Sequence, residues 1–113
     1  MNQNEWIKEF SGAITVCDTE GIILDMNEKA IRTFADDGGA KLIGTNLLDC
    51  HPEPSRSKVI ELLKSHRENI YTIEKNAIKK LVYQSPWFKD GKYAGLVELS
   101  LEIPSEMRHF VRK

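Results

Sequence analysis

The segment ending at Ile103 constrains the fold of this chain more than any other. Val97, Leu99, Leu101 and Ile103 alternate there with Glu98, Ser100 and Glu102. Successive side chains of a strand point to opposite faces, so strict alternation fits a half-buried β-strand and does not fit a helix. The expectation is one face in the core and the other in water. Pro104 stops the strand because it has no N–H to give to a ladder. Upstream, Lys89-Asp90-Gly91-Lys92 carries an Asp-Gly hairpin signal, preceded by two further strand candidates, Ile70 to Lys75 and Ile78 to Trp87, with little between them.

The first half of the chain alternates short elements. Asn4 to Phe10 places Trp6, Ile7 and Phe10 at helical spacing, with Trp6 and Phe10 an i,i+4 pair, and reads as an amphipathic lead-in helix. Ala13 to Cys17, the turn Asp18-Thr19-Glu20-Gly21 and Ile22 to Leu24 read as a hairpin. Asn27 is a good N-cap for a brief helix carrying Ala30, Ile31 and Phe34, which Asp36-Asp37-Gly38-Gly39 breaks. Gly44 closes a turn. The prolines of Cys50-His51-Pro52-Glu53-Pro54 hold off the next helix until about Ser55, after which Val59, Ile60, Leu62 and Leu63 form one apolar stripe. Ser105 to Lys113 is expected to start a helix leading onward in a longer chain. Strands framing a helical middle imply an α+β domain, an antiparallel sheet with helices on one side.

At 113 residues, 41% of them hydrophobic, the chain suits a single domain spanning 1–113, with a lead-in helix over 1–10, a core over 11–103 and a C-terminal extension over 104–113. A net charge of -1 supplies no general attraction to phosphate backbones, so no nucleic-acid partner is expected. The first fifty residues hold nine acids and four bases and the rest eight acids and twelve bases, a difference that ordinary solvated faces explain. The apolar runs are far shorter than the roughly 20 residues that span a bilayer. Met1 to Glu9 lacks the layout of a signal peptide, and a cytoplasmic, non-membrane protein is the expectation. Cys17 and Cys50 are too few for a disulfide framework and are read as free thiols.

The order of these pieces resembles the PAS domain family. The residues that carry the resemblance are Ile14-Thr-Val-Cys-Asp18 with Glu20-Gly21-Ile22, Asp25-Met-Asn27 opening a helix that ends in Phe34, Leu42-Ile-Gly44-Thr-Asn46, Asp90-Gly91-Lys92, the small pair Ala94-Gly95 and the strand Leu96 to Ile103. The resemblance spans about residues 11 to 103, and its order is more specific than any one piece. It implies a five-stranded antiparallel sheet that encloses a pocket with its helices, and a sensory or regulatory role in signal transduction, in bacteria for preference. Such a module binds a small molecule or a protein partner and forms homodimers, and it is not an enzyme. Cys50-His51-Pro52 looks like an element that opens the helix of some bacterial members.

A pocket, if open, is expected to be lined by Ile14, Val16, Ile31, Phe34, Leu48, His51, Val59, Leu63, Val82, Val97, Leu99 and Leu101. In so small a domain the same residues can fill the core at normal density, and a filled core is the slightly favoured expectation. His51 is the candidate haem ligand, since haem-binding members use a histidine from the helical segment, although one histidine beside a turn is more often structural. His66 is expected in water near a helix end. Cys50 and His51 form the alternative of a small enzyme or redox thiol, weakened by the lack of a third orienting group. Light-sensing members place a cysteine directly after Gly-x-Asn; here Leu47 follows Gly44-Thr45-Asn46, which disfavours a covalent flavin adduct. Trp6 and Phe10 are the candidate dimer contacts, with folding back onto the chain's own sheet the equal alternative.

Overall fold

The computed structural model describes residues 5–113, so Asn4, expected to open the lead-in helix, lies outside the described residues. Along the chain run α1 (Glu5–Lys8), β1 (Ala13–Cys17), β2 (Ile23–Met26), α2 (Glu28–Thr33), three single-turn 3-10 helices (Ala35–Asp37, Gly39–Leu42, Leu47–Cys50), α3 (Ser55–Ser65), β3 (Asn69–Lys75), β4 (Ile78–Lys89) and β5 (Lys92–Ile103). The strands form one antiparallel sheet in the order β2-β1-β5-β4-β3, the five-stranded sheet expected. Ser105–Lys113 forms no helix: with Met107, Phe110 and Val111 mostly exposed, its apolar residues find no surface against which to bury a stripe.

Local chemistry explains the turns. Asn76-Ala77 joins β3 to β4 and Asp90-Gly91 joins β4 to β5, both residues of each pair having positive φ, the two-residue geometry that matches the twist of a hairpin. The Asp18 carboxylate accepts from the N–H groups of Glu20 and Ile22, holding the β1–β2 turn closed. Pro86 is tolerated inside β4 because β3 ends opposite Gln84, so that beyond this point β4 has a partner on one side only. At Gly95 the chain has φ +141, and a Cβ would overlap the Cys17 carbonyl. The bare backbone lets Trp87, opposite Gly95, reach over β5 and donate its indole N–H to Cys17 O at 3.0 Å.

The faces of the sheet are assigned opposite to expectation. Cys17 and Leu96 pack with Val59 and Leu63 of α3, and Ala13, Ile23 and Met26 with Ala30 of α2. These contacts define the inner face, toward α2 and α3. Alternation along β5 then sends Leu96, Glu98 and Ser100 inward and Val97, Leu99 and Leu101 outward. Ile14 and Val16 pair with Leu99 and Val97 and share their face. The apolar stripe read as core therefore lies on the far side from α2 and α3, where it is partly covered by Ile7 of α1, and of the stripe read as wet Glu98 and Ser100 are half-buried on the helical side while Glu102 stays exposed. α1 itself is one turn; Ile7 is its half-buried residue, while Trp6 and Phe10 are 65% and 43% exposed.

Asn27 joins these pieces. Its Oδ1 caps α2 by accepting from Ala30 N at 3.0 Å and also accepts from Ile14 N of β1 at 3.0 Å. Its Nδ2 donates to Gly12 O at 2.9 Å and to Ile7 O at 3.1 Å. Both heavy atoms of a side chain only 5% exposed are thus satisfied twice. Asn27→Ala is expected to lower unfolding free energy in urea by about 3 kcal/mol, the sum of a lost cap and orphaned buried groups. Asn27→Asp keeps the cap but turns a carboxylate toward two carbonyls, and a loss of roughly 1 kcal/mol or more is expected. An unchanged midpoint for Asn27→Asp would show that the amide donors contribute nothing.

Candidate functional site

A cavity of about 340 Å³ stands between the inner face of the sheet and the helical side, so the core is not filled. Its sheet wall is polar because of strand register. Thr15, Glu98, Gln84 and Asn69 stand in one row across β1, β5, β4 and β3, and the first three line the cavity. Asn69 Nδ2 donates to Gln84 Oε1 at 2.8 Å, and Gln84 Nε2 donates to Glu98 Oε1 at 2.8 Å. The carboxylate can only accept, which fixes how the Gln84 amide points. The next row contributes Ser100, Val82 and Tyr71, and Lys80 and Ile73 stand beyond it. Burial, and after it the charge of Glu98, raises the Tyr71 phenol above its ordinary pKa.

The opposite wall comes from the irregular middle of the chain. Thr33 ends α2, Phe34 and Asp37 follow it, Leu42, Leu47 and Cys50 come from the 3-10 turns with His51 directly after the last of them, and Val59 comes from α3. The Asn46 side chain starts the turn Leu47–Cys50 by accepting from Leu48 N at 2.9 Å, and it holds that turn to the β1–β2 loop through Glu20 O at 3.1 Å. His51 Nδ1 lies 2.5 Å from Leu47 O. A carbonyl only accepts, so Nδ1 carries the proton and Nε2 is the nitrogen with a free lone pair in the neutral ring.

Of the residues expected around a pocket, Phe34, His51, Val59 and Val82 line this cavity. Ile14, Val16, Val97, Leu99 and Leu101 do not, because the strand alternation turns them to the outer face, where Ile14, Val16 and Val97 line a second cleft with Ile7, Leu24 and Trp87. Ile31 packs on the cluster around Ala30, and Leu48 and Leu63 belong to the cluster around Cys17, all outside the cavity lining. His66 is exposed at the C-cap of α3, as expected, with its ring stacked on Tyr93 at 3.6 Å, away from the cavity. Sequence reading missed Thr15, Gln84, Glu98 and Ser100. The available signal was polar residues recurring at strand-alternate positions on three strands, which single-strand periodicity assigns to water. Among the described residues no cluster of three metal-ligating side chains occurs, and no helix is long and apolar enough to cross a membrane.

No family model and no curated protein matches the sequence. Solved structures do resemble the fold. A C-terminal domain from Streptococcus mutans is similar at 19% identity and a TM-score of 0.69, with 88% of this chain and 81% of that one covered. A PAS domain from Colwellia psychrerythraea is similar at 15% identity and a TM-score of 0.64, with 89% and 93% covered. The Aer2 receptor of Vibrio cholerae, described as a dual PAS-heme oxygen sensor, is similar at 20% identity and a TM-score of 0.60, with 82% and 95% covered. At such identities the likeness carries the fold, and the fold is that of PAS domains.

The two thiols that line the cavity differ in reactivity. Cys17 is 2% exposed, and burial, the largest of several influences, pushes its thiol up to about 11, whereas Cys50 is exposed. Thiolate is the reactive form, so a maleimide at pH 8 is expected to label Cys50 within minutes and to leave Cys17 unlabelled until the protein is denatured. Equal labelling of both in the native protein, read by mass spectrometry of the peptides, would contradict this placement of Cys17.

Proposed function

We propose that this PAS-fold chain is a sensory module that binds a small polar molecule between its sheet and helices and passes the binding event to a signalling partner. The observation that carries the reading is the enclosed row Thr15, Glu98 and Gln84, anchored by Asn69. Polar side chains held inside a cavity have been withdrawn from water, and a ligand that satisfies their remaining hydrogen-bonding capacity stabilises the arrangement. Binding would favour one packing of α2, α3 and the 3-10 turns over another, and so bias whatever docks on the domain.

Haem suits these residues poorly. His51, with Nδ1 held by Leu47 O, has the orientation of an axial ligand. A macrocycle, however, needs a broad slot, and this cavity, although mostly apolar, is at the low end of small-ligand volumes and carries a carboxylate and an amide on its sheet wall. Nor does a Cys50–His51 enzyme find support: among the described residues no hydrogen bond joins the two side chains, the one His51 ring contact being from Nδ1 to the Leu47 carbonyl. A native mass spectrum of protein purified gently from cells is expected to show a small bound mass with no Soret band. Ser100→Phe, which fills the cavity, is expected to lose that mass while remaining folded. A wild-type protein that carries no mass, and whose melting temperature no polar compound raises, would sink the reading.

The chain is further proposed to form a homodimer through the outer face. Support comes from Trp6 at 65% exposure, Leu24 at 46% and Ile70 at 53%, flanking the half-buried stripe Ile14, Val16, Val97 and Leu99. An apolar surface of this kind is stabilised by a second copy rather than by water. Light scattering after gel filtration is expected to give a dimer for the wild type and a monomer for the double substitution Trp6→Glu and Ile70→Glu. A wild-type monomer at every soluble concentration would remove the proposal.

A further inference from the structure

We infer that the ligand of this cavity is a small organic cation, a protonated amine, held by Glu98. The inference rests on the reading of the cavity as a ligand site and names the chemical class that it takes. Glu98 is half-buried, lines the cavity and receives one hydrogen bond, from Gln84 Nε2. A carboxylate offers about four acceptor positions. Among the described residues no ion pair involves Glu98; the paired carboxylates are Glu102, further along β5 and outside the cavity lining, and Glu61 of α3. Lys80 also lines the cavity, but it stands opposite Glu102, four residues along β5 from Glu98 and so roughly 13 Å away along the strand.

Charge and ring placement point the same way. The side chains on the cavity that are charged at neutral pH are Glu98, Asp37 and Lys80, two negative against one positive, and an anionic ligand would face net repulsion. Phe34 and Tyr71 supply two rings, whose faces attract a cation. Tyr71 and Glu98 stand in adjacent rows of the inner face, and both line the cavity. A half-buried carboxylate without a basic partner pairs with a cation more strongly than with a neutral donor. Asn69 and Gln84 are positioning residues: their amide relay holds Glu98 in one orientation.

Three probes of one shape and different charge test the inference: 2-phenylethylammonium, 2-phenylethanol and phenylacetate, each titrated into the 15N-labelled chain and followed by NMR. The ammonium is expected to shift amides of β1, β4 and β5 around Thr15, Gln84 and Glu98 and to bind about tenfold more tightly than the alcohol, with phenylacetate weakest. Glu98→Gln, which keeps shape and folding, is expected to reduce that preference to near unity. Glu102→Gln, an equal change of net charge outside the cavity, is expected to leave it intact. A preference that is absent in the wild type, or that survives Glu98→Gln, overturns the inference and leaves the ligand site standing. If none of the three shifts a cavity residue, the ligand-site reading falls and takes the inference with it.

Discussion

The architecture depends on the side chain of Asn27. One primary amide starts α2, ties it to β1 at Ile14 and anchors the chain at Ile7 and Gly12. Its buried position excludes water as a substitute partner, so each of its four hydrogen bonds keeps a backbone group satisfied that would otherwise be orphaned. The consequence reaches the cavity: α2 ends in Phe34, and Phe34 and Asp37 form part of the cavity wall. The inner face and the arm that crosses to the outer face are therefore positioned from the same residue.

A second close approach closes the other end of the sheet. Gly95 lets Trp87 bridge from β4 across β5 to the carbonyl of Cys17. β5 is consequently held at its start by its neighbours, and its register against β1 and β4 is maintained where it matters for chemistry. A slip of one residue would exchange Glu98 for a valine or a leucine inside the cavity, because side-chain direction on a strand has a period of two. Register is thus what places a polar row on the wall of a cavity that is otherwise mostly apolar.

The inversion of the two faces links structure to function. A sheet with its most apolar stripe turned away from its own helices must find other cover for it, and here the cover is a short arm contributing Ile7 and leaving Trp6 and Phe10 exposed. The inner face, freed from the duty of forming the whole core, has room for a polar row and a cavity. Packing is carried instead by two small clusters, one around Ala30 and one around Cys17, at the margins of that space. This division leaves the packing that holds the fold in the clusters and the open space between them.

Much of this was legible in the residues alone. Asn27 as a cap, the Asp90-Gly91 hairpin, the start of α3 after Pro54 and the alternating strand at Val97–Ile103 all rest on interactions within a few residues, where backbone geometry and local hydrogen bonds decide. Periodicity within β5 established that it has two unlike faces, the order of elements implied an antiparallel sheet with helices on one side, and the family resemblance implied its five strands. Which face turns toward the helices was decided only by tertiary structure. That choice depends on pairings between residues as distant as Thr15 and Glu98 or Asn69 and Gln84, and on the burial of Leu96 and Cys17 against α3. A single strand carries no information about which side its neighbours will cover, so by itself the apolar stripe reads as core and the polar row, with its carboxylate, as solvent-facing surface.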